Sequence, residues 1–342
     1  MASSRLISID LGNGFTKVRA GKRRFSFPSV IAVEDDTTAG FEAVGLASNH
    51  DFVIGYHDKR WAIGETVLTH GLMPVMIAHR SRITTEYYQI LFAAALASAF
   101  TENVVVSPVV SLPPAAYWDK DKQKEMIAGE YTVTRAGIEY HYRVPYEYIR
   151  VVPEGFGTAA LFCLDPRGQV TDSDLFEREV GIVDVGTYTT DFVQLSNMKV
   201  VKRGTDSIPH ALSNIHKLVR TYAASQGVDI DVHEADEVLR KGCFLLSGRR
   251  EALTEHIQQW SVELAQVIAA RIRTLWGGGD AVELILVTGG GCSYVADLLF
   301  AEWPHVQQVT RETSKVEPWE ANCEGCYRYG RFLQALETKS RK

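Results

Sequence analysis

The hydrophobic and polar positions of this chain form two similar series of short strands, far apart in the sequence. In each series, short apolar or alternating runs are separated by tight turns, which is typical of an antiparallel meander. The first series is predicted at residues 6–11, 15–20 and 23–28, and the second at residues 180–185, 190–196 and 198–203. Because the pattern occurs twice at a long interval, it predicts a duplicated domain rather than a solenoid.

The remaining segments mix helical and strand patterns, which predicts an α/β fold. Further strands or hairpins are predicted at residues 52–65, 103–112, 130–144, 149–152, 282–288 and 305–310. Helices are predicted at residues 85–100, 120–128, 158–163, 206–225, 234–241, 249–275, 295–301 and 321–338. The polar stretch 34–51 predicts a surface loop, and the acidic stretch 172–179 predicts part of a connection between domains.

The first meander contains Asp10-Leu-Gly-Asn-Gly-Phe-Thr-Lys17 at its first turn. Gly12 follows Asp10 by two residues and lets the backbone turn sharply and approach a ligand without a Cβ in the way. The amides of the following residues can then point at phosphate oxygens as an anion nest, and these residues are Gly12, Asn13, Gly14 and Phe15. Asp10, at the strand end, is close enough to orient water on Mg²⁺, and Lys17 can reach a phosphate.

The second meander repeats this arrangement as Asp184-Val-Gly-Thr-Tyr-Thr-Thr-Asp191. Asp184 and Gly186 keep the Asp-x-Gly spacing, and the turn continues through Thr187, Tyr188 and Thr189. A single Asp-x-Gly is most often an ordinary hairpin turn. Two copies, one with a lysine and one with threonine hydroxyls, predict two half-sites that bind one nucleotide.

A third element follows the predicted strand 282–288. Gly289, Gly290 and Gly291 lie between this strand and a helix start, where a flat ring or a phosphate can approach bare backbone. Glycine runs also end strands simply to turn the chain. Neither the Gly-x-Gly-x-x-Gly dinucleotide fingerprint nor the Gly-Lys-Ser/Thr phosphate loop is present here.

Composition narrows the classes of partner. The 342 residues carry a formal net charge of −6, which gives no reason to expect direct nucleic-acid binding through a broad basic face. The sequence contains no apolar run of the ~20 residues needed to span a membrane and no signal-peptide pattern, so we expect a cytoplasmic protein. Five scattered cysteines argue against a disulfide framework, and Cys323-Glu-Gly-Cys326 lacks the second pair that a zinc site needs.

These motifs together resemble the actin-like ATPase superfamily, and within it the bacterial and archaeal actin-like proteins of the plasmid-segregation (ParM) type. The two Asp-Gly turns resemble the phosphate motifs of that family, and Leu286-Val-Thr-Gly-Gly-Gly291 resembles its adenosine motif. Smaller matches are Phe27-Pro-Ser29, Ala62-Ile-Gly-Glu65, Leu112-Pro-Pro114, Val152-Pro-Glu-Gly155 and Trp319-Glu-Ala-Asn322 with Gly325 and Tyr329.

The resemblance implies two ribonuclease H-like domains with a nucleotide cleft between them. Domain I would span residues 1–165, with the C-terminal helix of about 326–342 packing back on it, and domain II would span residues 166–325. Asp10 and Asp184 would orient Mg²⁺ waters, Glu154 would position the attacking water, and the glycine triplet would contact adenosine. Glu237 and Lys241 would flank the ribose and base. The implied cofactors are ATP/ADP, or GTP, and Mg²⁺.

The resemblance also implies a filament-forming ATPase, a helical homopolymer used for plasmid or other DNA segregation or for intracellular positioning, with a DNA-binding adaptor as partner. Tyr188 is bulky where the family commonly has small residues. The family often makes filament contacts in the region of residues 34–60. A small-molecule kinase of the sugar type on the same fold is the alternative, although no sugar-binding set is evident, and a non-hydrolysing homologue is a further one.

Overall fold

The computed structural model describes residues 4–34, 52–77 and 80–340. The predicted surface loop 34–51 therefore lies, apart from its first residue, outside the described residues. The chain divides into two compact units, Met1–Asp172 with Asn322–Lys342 and Ser173–Ala321. They are called the first and the second unit below, and each is described by itself.

The first unit is built on a mixed sheet. Its strands are β1 (Arg5–Leu11), β2 (Phe15–Ala20), β3 (Arg23–Pro28), β4 (Ile31–Val33), β5 (Val53–Tyr56), β6 (Lys59–Ile63), β7 (Val104–Leu112), β8 (Gly129–Arg135), β9 (Ile138–Val144) and β10 (Arg150–Pro153). They are ordered β3-β2-β1-β7-β9-β8-β5-β6-β4, and β10 also pairs with β7. The predicted meander is thus present, and β1 and β10 both run parallel to β7.

Helices cover this sheet. They are α1 (Glu65–Thr69), α2 (Glu86–Ala99), α3 (Lys120–Ile127) and α4 (Phe156–Cys163), with 3₁₀ turns at Arg80–Thr84, Pro114–Asp119 and Tyr146–Tyr148. α2 is buried along most of its length because nearly all its residues are apolar, and it packs on β1 and β2. Its burial fixes the sheet beneath the Asp10 turn.

The second unit repeats the hairpin and the parallel neighbour. Its strands are β11 (Glu179–Val185), β12 (Thr190–Ser196), β13 (Lys199–Val200), β14 (Asp206–Ile208), β15 (Cys243–Leu246), β16 (Arg249–Ala252), β17 (Leu284–Thr288) and β18 (Val306–Gln308). The main sheet has the order β13-β12-β11-β17-β18, with β14 paired to β12, and β15 pairs with β16 separately. β11 is antiparallel to β12 and parallel to β17, as β1 is to β2 and β7.

The helices of the second unit, except the first, follow its β11–β12 hairpin, and one long helix, which belongs to the first unit from Asn322 onward, closes the chain. They are α5 (Ser173–Glu177), α6 (Leu212–Ser225), α7 (Val232–Lys241), α8 (Thr254–Trp276), α9 (Cys292–Glu302) and α10 (Arg311–Ser314), and the final helix is α11 (Ala321–Ser340). Short 3₁₀ turns lie at Lys202–Gly204, Gly277–Gly279 and Pro318–Glu320. No helix in the described part of the chain combines the length and the apolar character needed to cross a membrane.

Three predicted elements in the second unit have different bounds. The third strand of the meander, predicted at 198–203, is only Lys199–Val200, and residues 206–208 form β14 rather than the start of a helix. Residues 249–252 form β16, not the first turn of α8. Ser247 and Gly248, both with positive φ (47° and 78°), make the hairpin turn. The strong helical periodicity that begins at Thr254 led the predicted helix to be extended back over β16 to residue 249.

Candidate functional site

Asp10 lies near the end of β1 and is buried. Its Oδ1 accepts a hydrogen bond from Ser111 Oγ at 2.9 Å, and its Oδ2 lies 3.1 Å from Lys17 Nζ. Lys17 is directly opposite Asp10 in the β1–β2 pairing, so the hairpin register itself creates this ion pair. The structure therefore brings together two residues that the sequence predicted for one phosphate site.

In the first turn, residues 12–14, carbonyl groups accept hydrogen bonds from Ser29 and Arg82, which lie on one side of the turn. Ser29 Oγ donates to Gly12 O at 2.7 Å, and Ser29 N donates to Gly14 O at 2.8 Å. The Arg82 guanidinium donates to Gly12 O at 3.1 Å and also to Leu11 O. Since C=O and the next N–H point in opposite directions in a trans peptide, the amides of Asn13 and Phe15 point away from Ser29 and Arg82. Such amides suit an anion.

Gly12 is required in this turn because of space. A Cβ at this position would lie 2.7 Å from Phe15 O, closer than Cβ atoms approach backbone oxygens. The tight turn keeps β2 paired to β1 and holds Lys17 opposite Asp10.

Glu154 lies in the same unit, directly after β10. Pairing of β10 with β7 places Pro153 beside Leu112, and the Glu154 amide donates to Leu112 O at 2.7 Å. Gly155, with φ of 91°, then turns the chain into α4. Asn322 Oδ1 accepts hydrogen bonds from the amides of Gly155 and Gly157, both at 3.1 Å. Asn322, the second residue of α11, therefore caps the start of α4.

Tyr88 shows that the Glu154 and Asp10 carboxylates share one neighbourhood. Burial raises the pKa of Tyr88 to about 12, Arg82 and a hydrogen bond from Gln123 oppose the rise, and the charges of Glu154 and Asp10 add to it. The carboxylates of Asp10 and Glu154, which come from different strand ends of the first unit, therefore both act on this buried phenol.

In the second unit, the turn 186–189 is closed by a hydrogen bond from Gly186 N to Thr189 O at 2.9 Å. The carbonyls of Gly186 and Thr187 accept from the backbone amides of Leu212 and Ser213, at 3.3 and 2.7 Å, where α6 begins. By the same peptide geometry, the amides of Thr187 and Tyr188 point away from α6. Tyr188 is half-buried, and this burial raises its pKa.

Asp191 is the residue opposite Asp184 in the β11–β12 pairing. It is buried, and its carboxylate accepts hydrogen bonds from Thr189 Oγ1 at 3.1 Å and from Ser207 Oγ. The sequence showed Asp191 only as the end of a motif. When the two repeats are aligned, Asp191 takes the position of Lys17. This position, opposite the strand-end aspartate, makes Asp191 part of the site.

The glycine triplet packs directly on the second turn. β17 runs beside β11 with Thr288 next to Asp184, and Gly289 follows with φ of 88°. A Cβ at Gly289 would lie 2.4 Å from Asp184 Oδ1, and one at Gly291 would lie 2.5 Å from Val185 Cγ1. These glycines are needed for the close approach, and Gly290 has more room. The structure therefore joins Asp184, the second turn and Gly289–Gly291 in one place.

Glu237 and Lys241 lie one turn apart on α7 and pair with each other. Lys241 Nζ is 2.5 Å from Glu237 Oε1, both side chains are exposed, and the hydrogen bond from Lys241 lowers the pKa of Glu237. The structure shows them as an i,i+4 ion pair on a helix surface. Their predicted contact with ribose and base stays a prediction.

The donor groups of both turns suit Mg²⁺ only together with a ligand. In residues 4–34, 52–77 and 80–340, no group of three or more His, Cys, Asp or Glu side chains is arranged to hold a metal ion. Mg²⁺ is commonly bound through one or two carboxylates, waters and substrate phosphates rather than by an all-protein cage. Asp10, ion-paired to Lys17, fits contact through water, so the residues present fit a Mg²⁺ that arrives with a nucleotide.

Comparison with protein families gives two adjoining matches. Residues 8–157 match the model of the N-terminal domain of actin like proteins, and residues 182–300 match that of the C-terminal domain of the archaeal actin homologue, MreB-like. No curated protein matches the chain. The two matched regions contain both Asp-Gly turns, Glu154 and the glycine triplet.

Solved structures with the same fold include several actin homologues. The archaeal actin homologue Ta0583 aligns with a TM-score of 0.79 and 21% identity, over 96% of this chain and 99% of that chain. Its ADP complex aligns with a TM-score of 0.76 and 20% identity, with the same coverage of 96% and 99%. The 15-stranded ParM filament from Clostridium botulinum aligns with a TM-score of 0.75 and 19% identity, again over 96% and 99%. The two family models cover most of the chain between them and show that the protein belongs to the actin-like proteins, and its fold is shared with an archaeal actin homologue and with ParM proteins.

Proposed function

We propose that this protein binds Mg-nucleotide, ATP or GTP, at its Asp-Gly turns, hydrolyses it, and forms filaments under the control of the bound nucleotide. One observation carries this proposal. In each turn the carbonyls are hydrogen-bonded on one side, so that amides point to the other side next to a strand-end aspartate. The ADP complex of Ta0583 supports the choice of a nucleotide as ligand.

The proposed binding roles follow the geometry of each turn. Asp10 and Asp184 orient waters on Mg²⁺, Lys17 contacts the phosphates, and the glycine triplet contacts adenosine. The amide and hydroxyl donors for phosphate come from Gly12, Asn13, Gly14, Phe15, Gly186, Thr187, Tyr188 and Thr189. Glu237 and Lys241 are proposed to flank the ribose and base, which requires their ion pair to rearrange or to bind through its outer side.

Glu154 is proposed to position the attacking water. Phosphoryl transfer depends mainly on placement and on charge stabilisation. When bound, the Mg-nucleotide supplies the phosphoryl group and neutralises part of its charge. Glu154 comes from a tightly held strand end, because its amide is bonded to Leu112 O and the next helix is capped by Asn322. A carboxylate carried on a backbone that is fixed in this way can orient a water molecule at a lower entropic cost than one on a mobile loop.

The proposed polymer is a head-to-tail helical homopolymer. Contacts between unlike surfaces that do not close a ring generate such filaments. The 15-stranded ParM filament from Clostridium botulinum, a protein of this fold, supports the proposal of a filament. With a net charge of −6, the chain is proposed to reach plasmid or other DNA through a DNA-binding adaptor and to act in the cytoplasm, in segregation or positioning.

The experiment is light scattering and negative-stain microscopy, with phosphate release measured in parallel. We expect polymer with Mg-ATP or Mg-GTP and with slowly hydrolysed analogues, and disassembly after hydrolysis. Absence of polymer at high protein concentration with every nucleotide would remove the filament proposal. Phosphate transfer to a panel of sugars, with little release to water, would favour the kinase alternative instead.

A further inference from the structure

Arg82 is a buried arginine that belongs to no sequence motif. It lies in the 3₁₀ turn Arg80–Thr84, with only 3% of its surface exposed. Its guanidinium lies 5.8 Å from the centre of the Tyr88 ring and bonds to the carbonyls of Leu11 and Gly12. A buried guanidinium carries a large desolvation cost, so its position calls for a physical reason.

The buried position of the Arg82 guanidinium is explained by the orientation that it gives to the first turn. The two carbonyls that Arg82 holds belong to consecutive peptides, at the point where β1 ends and the turn begins. A planar guanidinium presents donors in a fixed fork and can hold both oxygens together, which an ammonium group does less well. Holding the Gly12 carbonyl fixes the peptide plane whose N–H belongs to Asn13. Arg82 also places a positive charge behind a turn whose amides point the other way.

Ser29 holds the same turn but in a different manner. Its hydroxyl and its amide bond to Gly12 O and Gly14 O, and Tyr87 OH donates to Ser29 O. Ser29 therefore contributes neutral hydrogen bonds, whereas Arg82 contributes both the fork and the charge. Hydrogen bonds from charged groups are about twice as strong as neutral ones.

We propose that Arg82 is a positioning residue for phosphate binding: it holds the Leu11 and Gly12 carbonyls so that the turn amides face the nucleotide phosphates, and its charge favours the polyphosphate. This inference rests on the proposed nucleotide-binding function. Arg82 acts through the turn and does not itself contact the ligand.

The test compares Arg82→Lys and Arg82→Met with Arg328→Lys. Arg328 is a matched control because its buried guanidinium also donates to two backbone carbonyls, those of Leu161 and Leu164, at 2.9 and 2.7 Å. The affinities for Mg-ADP and for adenosine are measured by calorimetry or competition, or for Mg-GDP and guanosine if the protein prefers guanine. Thermal melting without ligand confirms that each variant folds.

We expect Arg82→Lys to weaken Mg-ADP binding about tenfold, and Arg82→Met more, since bonds from a charged group are lost or misdirected. Adenosine affinity should stay within about twofold, because the loss is confined to the phosphate site. Arg328→Lys should leave the ratio of the two affinities unchanged. A merely structural role for Arg82 would lower both affinities together or neither.

The outcomes separate this inference from the proposed function. If the wild type binds no nucleotide, the proposed function is wrong and the role of Arg82 falls with it. If the wild type binds Mg-ADP and folded Arg82→Lys binds it equally well, the inference about Arg82 is wrong and the proposed function stands. If Arg82→Met does not fold, Arg82→Lys alone decides.

Discussion

The two Asp-Gly turns have the same backbone plan, but different groups hold them. In the first turn, the side chains of Ser29 and Arg82, together with the Ser29 amide, bind the carbonyls. In the second turn, the backbone amides of Leu212 and Ser213 do so, at the start of α6. Side chains can be removed by mutation and backbone amides cannot. The first turn should therefore be sensitive to single substitutions at its supports, whereas the second should be insensitive.

The turns also differ in charge. Asp10 faces Lys17 across its hairpin, whereas Asp184 faces Asp191 across the equivalent one. The first hairpin pairs opposite charges and the second pairs like charges, both at or near the place proposed for Mg-nucleotide. One fold plan thus yields a neutral pair on one hairpin and an acidic pair on the other.

Glu154 gives the first unit a group for which the second unit offers no predicted counterpart. Glu154→Gln should slow phosphate release about 100-fold, within the usual range for loss of a positioned general base. Mg-nucleotide affinity should stay unchanged, since Glu154 is proposed to act on water. Glu147→Gln, an exposed change in the same unit, is the control. Normal turnover in Glu154→Gln would remove this residue from the mechanism.

Gly12 and Gly186 occupy equivalent positions and allow a direct comparison. A Cβ would lie 2.7 Å from Phe15 O in the first turn but 3.1 Å from Thr189 O in the second. Overpacking costs about 1–3 kcal/mol, so Gly12→Ala should weaken Mg-ADP binding about tenfold or more. Gly186→Ala should have the smaller effect, since its neighbour has to give by only a few tenths of an ångström. Equal losses in calorimetry, or the reverse order, would show that the first turn is not the tighter one.

Ser29 and Ser213 test whether side chains or backbone hold the turns. Ser29→Ala removes the hydroxyl that donates to Gly12 O and should weaken Mg-ADP binding about two- to tenfold, the range for one neutral hydrogen bond. Ser213→Ala keeps the amide that donates to Thr187 O, so affinity should not change. A clear loss in Ser213→Ala, measured in the same assay, would contradict the distinction.

These pairs also show how far the sequence could predict the site. The Asp-x-Gly spacing predicted both hairpins, because a glycine is favoured where a Cβ would come close to the carbonyl oxygen across the turn. The sequence predicted the glycine triplet after a buried strand, but only the parallel register of β17 and β11 reveals that Gly289 packs on Asp184. Asn322 and Gly325 stood out in the sequence only through the family resemblance, without a physical reason. The structure supplies one, since Asn322 caps α4 and a Cβ at Gly325 would lie 1.6 Å from Gly157 O.

Arg82 could not be found in this way. It lies in a 3₁₀ turn 70 residues from Gly12, and no periodicity or motif marks a side chain that bonds to distant carbonyls. The hairpin β15–β16 was missed for a different reason. Its two strands have only four residues each, and the second lies just before a long amphipathic helix. The helical pattern of that helix is much stronger than the strand pattern of such short segments.

The charge contrast between the hairpins leads to the smallest expected effect. Opposite charges directly across an antiparallel pair stabilise it by about 0.2–1 kcal/mol, and like charges destabilise it by a similar amount.

Without nucleotide, Lys17→Gln should therefore lower the free energy of unfolding. The loss should exceed this range, because the variant also leaves the buried Asp10 carboxylate without its cross-strand cation. Asp191→Asn should leave the free energy of unfolding unchanged or raise it slightly, since its amide oxygen can accept from one of the Thr189 and Ser207 hydroxyls and its NH2 group can donate to the other. Denaturant unfolding at low and high salt separates the two, because screening weakens attraction in the first hairpin and repulsion in the second. Added salt should thus narrow the difference between Lys17→Gln and wild type, and should also narrow any gain in Asp191→Asn. If Asp191→Asn instead unfolds as easily as Lys17→Gln at both salt concentrations, Asp191 acts as a required hydrogen-bond acceptor, and like-charge repulsion does not distinguish the second turn from the first.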